Sequence, residues 1–300
     1  MMLKLPAHPS FDSPDLDAQY NNRAMVPEHV EMYEKWEAMC SDVFIDFPSH
    51  QDVAYGPSPR EAMDIILPTG GGPHPALLYI HGGYWMSRTK GDQTFLARAY
   101  ADAGIAFILV DYDLIPDVRM GDIVHQCRSA TAWIHDHAND YGIDAKRIFV
   151  SGHSAGGHLA AILAATDWQT FSDGPKDLMK GGVALSGIYD LTPIQHSYMQ
   201  ETLALTDAEL AANSPQFFPD APTIPLIVAP GGAESDAFKH QSRNLVNTWN
   251  AKGANCKYLE PDCCNHFTIL ADFADPESAL CQATIGLVTG AVSHQNIWGL

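Results

Sequence analysis

Residues 148–165 read IFVSGHSAGGHLAAILAA. A β-branched and aromatic run, Ile148 to Val150, meets Gly152, then Ser154, then Gly156 and Gly157, and continues as an alanine-rich run of helical character. So abrupt a change from strand to helix strains the backbone and demands small neighbours, which makes it a poor place for a purely structural serine. Gly152-His153-Ser154-Ala155-Gly156 is G-x-S-x-G in the setting where that motif carries a nucleophile, strand before and helix after. The plain alternative is a tight turn with a solvated serine, and the flanking IFV and GHLAAILAA weigh against it. The corner lifts the hydroxyl above a sheet. It also aims a helix N-terminus, with its unpaired N–H groups and partial positive charge, at the place where an oxyanion would form.

A serine hydroxyl needs a base, and the base needs an acid to orient it. In enzymes built on such a corner the chain order is serine, acid, histidine. The acid belongs after a strand, and IPLIVAPGG is followed by Ala233-Glu234-Ser235-Asp236. Glu234 falls at the strand end. Asp236 is the alternative, but it reads better as a cap or first-turn residue of the next helix. The histidine belongs after CKYLEP, and His266 is the one that precedes the last helix; His294 lies beyond it. Ser154, Glu234 and His266 thus stand in the expected order, 80 and then 32 residues apart. The second half of an oxyanion hole belongs after an earlier buried strand. There ALLYI runs into His81-Gly82-Gly83-Tyr84-Trp85, making Gly82, Gly83 and Ala155 the candidate N–H donors. His81 reads as a residue that orders this loop.

The rest of the chain alternates. EAMDIILP (61–68) reads as an edge strand and TGGGPHP as a loop. Strands are expected at ALLYIHGG, IAFILVDYDL, RIFVSG, GGVALSGIYDL, IPLIVAPGG and CKYLEP. Helices are expected over 92–104, 121–142, 154–166, 235–253 and 275–292. Such alternation implies a mostly parallel central sheet with helices on both faces, an α/β class, in a single domain spanning 1–300. In PEHVEMYEKWEAMCSDVF, Val30, Tyr33, Trp36 and Met39 recur every three residues and mark an amphipathic helix. Residues 1–50 are an N-terminal extension placed to cover the pocket. Residues 191–224 lack a clean period and read as a cap-like excursion.

The 300 residues suffice for a large core without disulfide or metal. Lys+Arg is 17 and Asp+Glu is 36, a net charge of −19 that repels nucleic-acid phosphates and anionic membranes. No stretch is long and apolar enough to span a bilayer, and the N-terminus lacks a secretory apolar core. The six cysteines match no zinc spacing, so free thiols in a reducing cytoplasm are expected. His135 and His137, at i and i+2, share no helix face, which argues against a metal; no cofactor is expected. Cys263-Cys264 beside His266 raises a thiol mechanism, but the serine corner would then lack a purpose.

HGGYW and GHSAGGHLA together resemble the arylformamidase (kynurenine formamidase) branch of the α/β-hydrolases, close to the hormone-sensitive-lipase-like esterases. YNNRAMVPEHV, LSGIYDL, GGAESDAFKHQS and NHFTIL fit the same branch, so the resemblance covers most of residues 17–275. It implies the α/β-hydrolase fold, Glu234 as triad acid, no metal, and hydrolysis of an N-formyl aryl amide such as N-formylkynurenine. A carboxylesterase or amidase for short acyl groups shares these motifs and is the alternative. A non-catalytic binding protein of the same fold is a third reading, disfavoured because serine, acid and histidine are all present. Tyr84 and Trp85 are expected beside the oxyanion hole, and Phe217 and Phe218 over the pocket. Arg23, Arg88 and Lys90 are cations available to a substrate carboxylate, although each also reads as an ordinary surface charge. The expected partner is a small-molecule substrate. A homodimer is a default with no residue pattern behind it.

Overall fold

A computed structural model describes residues 2–6, 10 and 15–290; residues 291–292 of the expected last helix, and His294, lie outside the described residues. Eight strands form one sheet: β1 (Ser49–Ala54), β2 (Ala62–Ile66), β3 (His74–Ile80), β4 (Ala106–Val110), β5 (Ile143–His153), β6 (Met179–Leu185), β7 (Leu226–Ala229) and β8 (Cys256–Tyr258). Their spatial order is β1-β2-β4-β3-β5-β6-β7-β8. The β1–β2 and β2–β4 pairs are antiparallel, and β4 through β8 run parallel. This is the α/β-hydrolase architecture that the resemblance implied.

The central strands are apolar runs because both faces of the sheet are covered. Successive residues still point to opposite sides. In β3, Leu77 and Tyr79 pack with Trp36, Phe95 and Phe273, while Leu78 and Ile80 pack with Ile123, Val124 and Leu159 on the other face. Helix His29–Asp46 covers the first face, and helices Met120–His137 and Ala155–Ala164 the second.

Three local expectations need correction, and one strand was not foreseen. EAMDIILP is not an edge: β2 is buried throughout, and β1 lies outside it. β1, SHQDVA, is polar and mostly exposed, so no apolar alternation announced it. The expected helix over 92–104 starts as a 3₁₀ helix, Lys90–Leu96, before turning α at Ala97–Asp102. The long helix ends at His137, with a 3₁₀ turn Ala138–Tyr141 leading to Gly142 at φ 66°. The excursion 191–224 contains short helices at Thr192–Gln195, Gln200–Leu203 and Asp207–Asn213. It is pinned beside the sheet's second face, with Glu209 paired to Arg119 at 2.5 Å and the Asn213 carbonyl accepting from His158 Nε2–H at 2.6 Å.

The carboxyl ends of β3, β5, β6, β7 and β8 face the same way. The loops that leave them therefore converge at one end of the sheet, where open parallel sheets place their ligands.

Candidate active site

β5 ends at His153, and the helix Ala155–Ala164 begins two residues later. Ser154 alone makes the corner, at φ 58°, ψ −118°, a conformation costly for any residue with a side chain. It is held there by its own N–H, which donates to the Leu185 carbonyl of β6 at 2.9 Å, and by its carbonyl, which accepts from His158 N–H at 3.1 Å. The helix passes so close to β3 that a side chain at Gly156 would strike the Ile80 carbonyl. The small residues of the motif are thus required by close approach of two backbones.

The Ser154 hydroxyl donates to His266 Nε2 at 3.0 Å, and His266 Nδ1–H donates to Glu234 Oε1 at 2.5 Å. The other carboxylate oxygen, Oε2, accepts from Gly231 N–H at 2.9 Å. The loops carrying acid and histidine are tied together by Gly232 N–H to the Pro261 carbonyl and Ala233 N–H to the Cys264 carbonyl, both 2.9 Å. Asp236, the alternative acid, is the first residue of the helix Asp236–Ala251 and reaches out to Lys239 at 3.3 Å. All three relay side chains are buried. Burial disfavours charge on each member, lowering the pKa of His266 and raising that of Glu234. A neutral imidazole with its lone pair on a serine hydroxyl can accept the proton as that oxygen attacks an acyl carbon.

The loop after β3 turns at Gly83, whose φ of 115° and contact with the Ser87 carbonyl leave no room for a side chain. His81 stacks on Tyr112 at 4.3 Å, with Nε2 3.0 Å from Asp111, which also holds Arg60. That network orders the loop. Ser154 and His266 open on a narrow cleft whose lining includes Gly82, Gly83 and Tyr84 of this loop, with His153 and Phe267. Arg23, Tyr33 and Arg88 complete it, so the N-terminal segment reaches the site. Tyr84 anchors that segment: its hydroxyl accepts from Asn22 N–H at 3.2 Å and donates to the Tyr20 carbonyl at 2.9 Å.

Residues 63–248 match the BD-FAE family model, more than half the chain. The chain belongs to the BD-FAE family of α/β-hydrolases. It is 31% identical to kynurenine formamidase of Danio rerio over 244 residues, which is 79% of this chain and 81% of the relative. It is 27% identical to esterase LipC of Mycobacterium tuberculosis over 74% of this chain and 60% of that one. A crystal structure from Silicibacter sp. TM1040, provisionally labelled a thioesterase, superposes with a TM-score of 0.79 at 28% identity, over 92% of this chain and all of that one. The chain is a hydrolase of amide or ester substrates.

In this BD-FAE member Trp85, Phe217, Phe218 and Lys90 are not brought to the cleft. Trp85 is buried beneath the loop, with its indole N–H donating to His158 Nδ1 at 3.3 Å. Phe217 is 61% exposed on the excursion, and Phe218 packs on the hydrophobic core. Lys90 is bound to Asp52 and Asp64 at 2.7 and 2.8 Å. Ala155 opens the helix directly after the serine, beneath the surface. Sequence reasoning missed Tyr33, His153 and Phe267 as cleft residues. His153 and Phe267 adjoin Ser154 and His266 in sequence, a signal that was available; Tyr33 was visible only as one apolar position of a helix. Among the described residues no cluster of His, Cys, Asp and Glu is arranged to hold a metal ion, and no helix is long and apolar enough to cross a membrane.

Proposed function

We propose that the chain hydrolyses an N-formyl aryl amide bearing a carboxylate, such as N-formylkynurenine, through a formyl-enzyme on Ser154. The observation that carries this reading is the combination at one cleft: the Ser154–His266–Glu234 relay beneath a mouth with two guanidinium groups and an aromatic wall. Arg88 lies 3.5 Å from the centre of the Tyr33 ring, and Arg23 donates to Ser87 Oγ at 3.0 Å. Two cations at the mouth of a chain with net charge −19 suit an anionic substrate, and Tyr33 and Phe267 suit an aryl group. A formyl group needs little acyl room, in keeping with the narrow space over Ser154.

In this mechanism Ser154 Oγ attacks the formyl carbon as His266 Nε2 takes its proton. The oxyanion meets the N–H groups of Gly82, Gly83 and Ala155. His266 then protonates the arylamine nitrogen as the C–N bond breaks. Water, deprotonated by the same imidazole, releases formate. Glu234 orients His266 and stabilises its transient positive charge. An esterase for short acyl groups is the second reading, supported by the similarity to esterase LipC.

Steady-state hydrolysis of N-formylkynurenine and p-nitrophenyl acetate separates the two. A kcat/KM for the formamide at or above about 10⁴ M⁻¹s⁻¹, the lower edge of the usual enzyme range, supports the formamidase reading. Turnover of the ester alone overturns it.

A further inference from the structure

The motif GHSAGGHL carries two buried histidines whose surroundings differ. His158 is fully engaged: Nδ1 accepts from the Trp85 indole and Nε2–H donates to the Asn213 carbonyl. His153 has one engaged nitrogen. Its Nε2 lies 2.7 Å from the His266 carbonyl oxygen, which can only accept, so Nε2 carries the proton. Nδ1 is therefore a bare lone pair, and it has no hydrogen-bond partner among the described residues. His153 lines the cleft. A side chain built on Gly82 would have its Cβ 3.0 Å from Ser154 Cβ and 3.3 Å from His153 Nδ1. That crowding, with the His153 carbonyl oxygen only 2.9 Å from the same point, admits only glycine and sets Nδ1 beside the nucleophile at the cleft wall. Burial lowers the pKa of His153, with the neighbouring His266 adding to the effect, which keeps the ring neutral.

We propose that His153 Nδ1 accepts a hydrogen bond from the N–H of the scissile amide, and that this contact favours amides over esters at the site. The proposal rests on Ser154 being the nucleophile, as read above. When an amide is cleaved, the leaving nitrogen must turn its lone pair toward His266 to receive a proton. Its N–H then points elsewhere, and an acceptor waiting there stabilises that orientation. An ester oxygen has no N–H to offer and leaves Nδ1 facing a lone pair. Sites built to bond a substrate N–H reject analogues that lack it, because the polar group is left unpaired. His153 neither gains nor loses a proton in the reaction.

The test compares formanilide with phenyl formate, and acetanilide with phenyl acetate, pairs that differ only in N–H against O. Wild type is measured beside His153→Gln, which keeps a donor for the His266 carbonyl, and His153→Phe, which keeps neither group; thermal melting checks that each variant is folded. The expected result for His153→Gln is a fall in the anilide-to-ester ratio of kcat/KM by about tenfold. Equal losses on anilide and ester in both variants would mean that His153 only holds the His266 loop, and would overturn the proposal. So would a wild type that cleaves neither anilide. Cleavage of acetanilide without formanilide sinks the formyl reading instead, and the acetyl pair then decides the role of His153.

Discussion

Two segments of this chain, expected in the same place, meet different ends in the fold. Residues 15–46 and 191–224 both stand apart from the strand–helix alternation, and both were expected near the pocket. The first supplies Arg23 and Tyr33 to the cleft, and it is tied down through Tyr84 and through Ser235, whose hydroxyl donates to the Gln19 carbonyl at 2.7 Å. The second docks on helices Met120–His137 and Ala155–Ala164 and sends no described side chain into the cleft. The lesson concerns attachment. The N-terminal segment bonds to the loop after β3 and the acid loop, both of which leave carboxyl ends of strands; the excursion bonds mainly to helices, and meets the N-terminal segment where Tyr198 N–H donates to Asp17 at 2.8 Å. What a segment grips decides whether it reaches the site.

The largest effect should come from the part neither segment supplies. Ser154→Ala should leave a folded protein whose kcat is lower by about 10⁶, the scale found when a triad nucleophile is removed. Steady-state assays with a wild-type control measure it. A variant with wild-type turnover would move the chemistry away from β5, and the comparison would lose its reference point.

Acid should strike next, and unevenly. His158, which holds the Asn213 carbonyl of the excursion, and His153 are buried and neutral; burial pushes their pKa down to about 4 and about 3. The unfolded chain binds protons on both near pH 6.5 while the folded chain does not. Stability from these groups is complete above pH 6.5 and is lost as pH falls toward their folded values. His266, buried and with its pKa likewise lowered, adds a third proton, so the three histidines together give a slope of about 4 kcal/mol per pH unit well below 6.5. Buried Glu234 opposes part of this, because its raised pKa favours the folded state as pH falls through the window from above neutrality toward the usual carboxylate range. Urea midpoints at pH 7.5, 6.5 and 5.5 check the sign. Hydrogen exchange at the same pH values should show the excursion loosening before residues 15–46; the reverse order would mean that His158 does not hold the excursion in place.

Much of the site was legible because its chemistry is local in sequence. The corner at Ser154 is a contiguous motif, and Glu234 and His266 each follow an apolar strand, so position along the chain found them. The apolar strands β3 to β7 announced themselves for the same reason. The failures are tertiary. Strand β1 carries no apolar period because it lies at an exposed edge. Trp85 was expected with Tyr84 beside the oxyanion hole, yet positive φ at both residues (56° and 59°) turns the chain and sends Trp85 beneath the loop toward His158. The aromatic pair Phe217-Phe218 suggested a cap, but composition does not say which flank a loop will grip.

The smallest effects test the two segments directly, on the same substrates. Replacing Arg23 and Arg88 together by Ala should raise KM for a carboxylate-bearing formamide by about tenfold, the scale of one charge-assisted hydrogen bond, and leave a neutral ester within about twofold. Phe217→Ser on the excursion should change neither, since the ring is 61% exposed and no part of the cleft; it should also leave stability within about 0.5 kcal/mol, as for other surface changes. A KM response to Phe217→Ser would mean that the excursion closes over bound substrate. No response to the double arginine change would mean that the N-terminal segment shapes the cleft with its aromatic ring alone. Only loss of affinity confined to the arginines and to the charged substrate fits a site whose selectivity comes from residues 15–46 and the loop they grip.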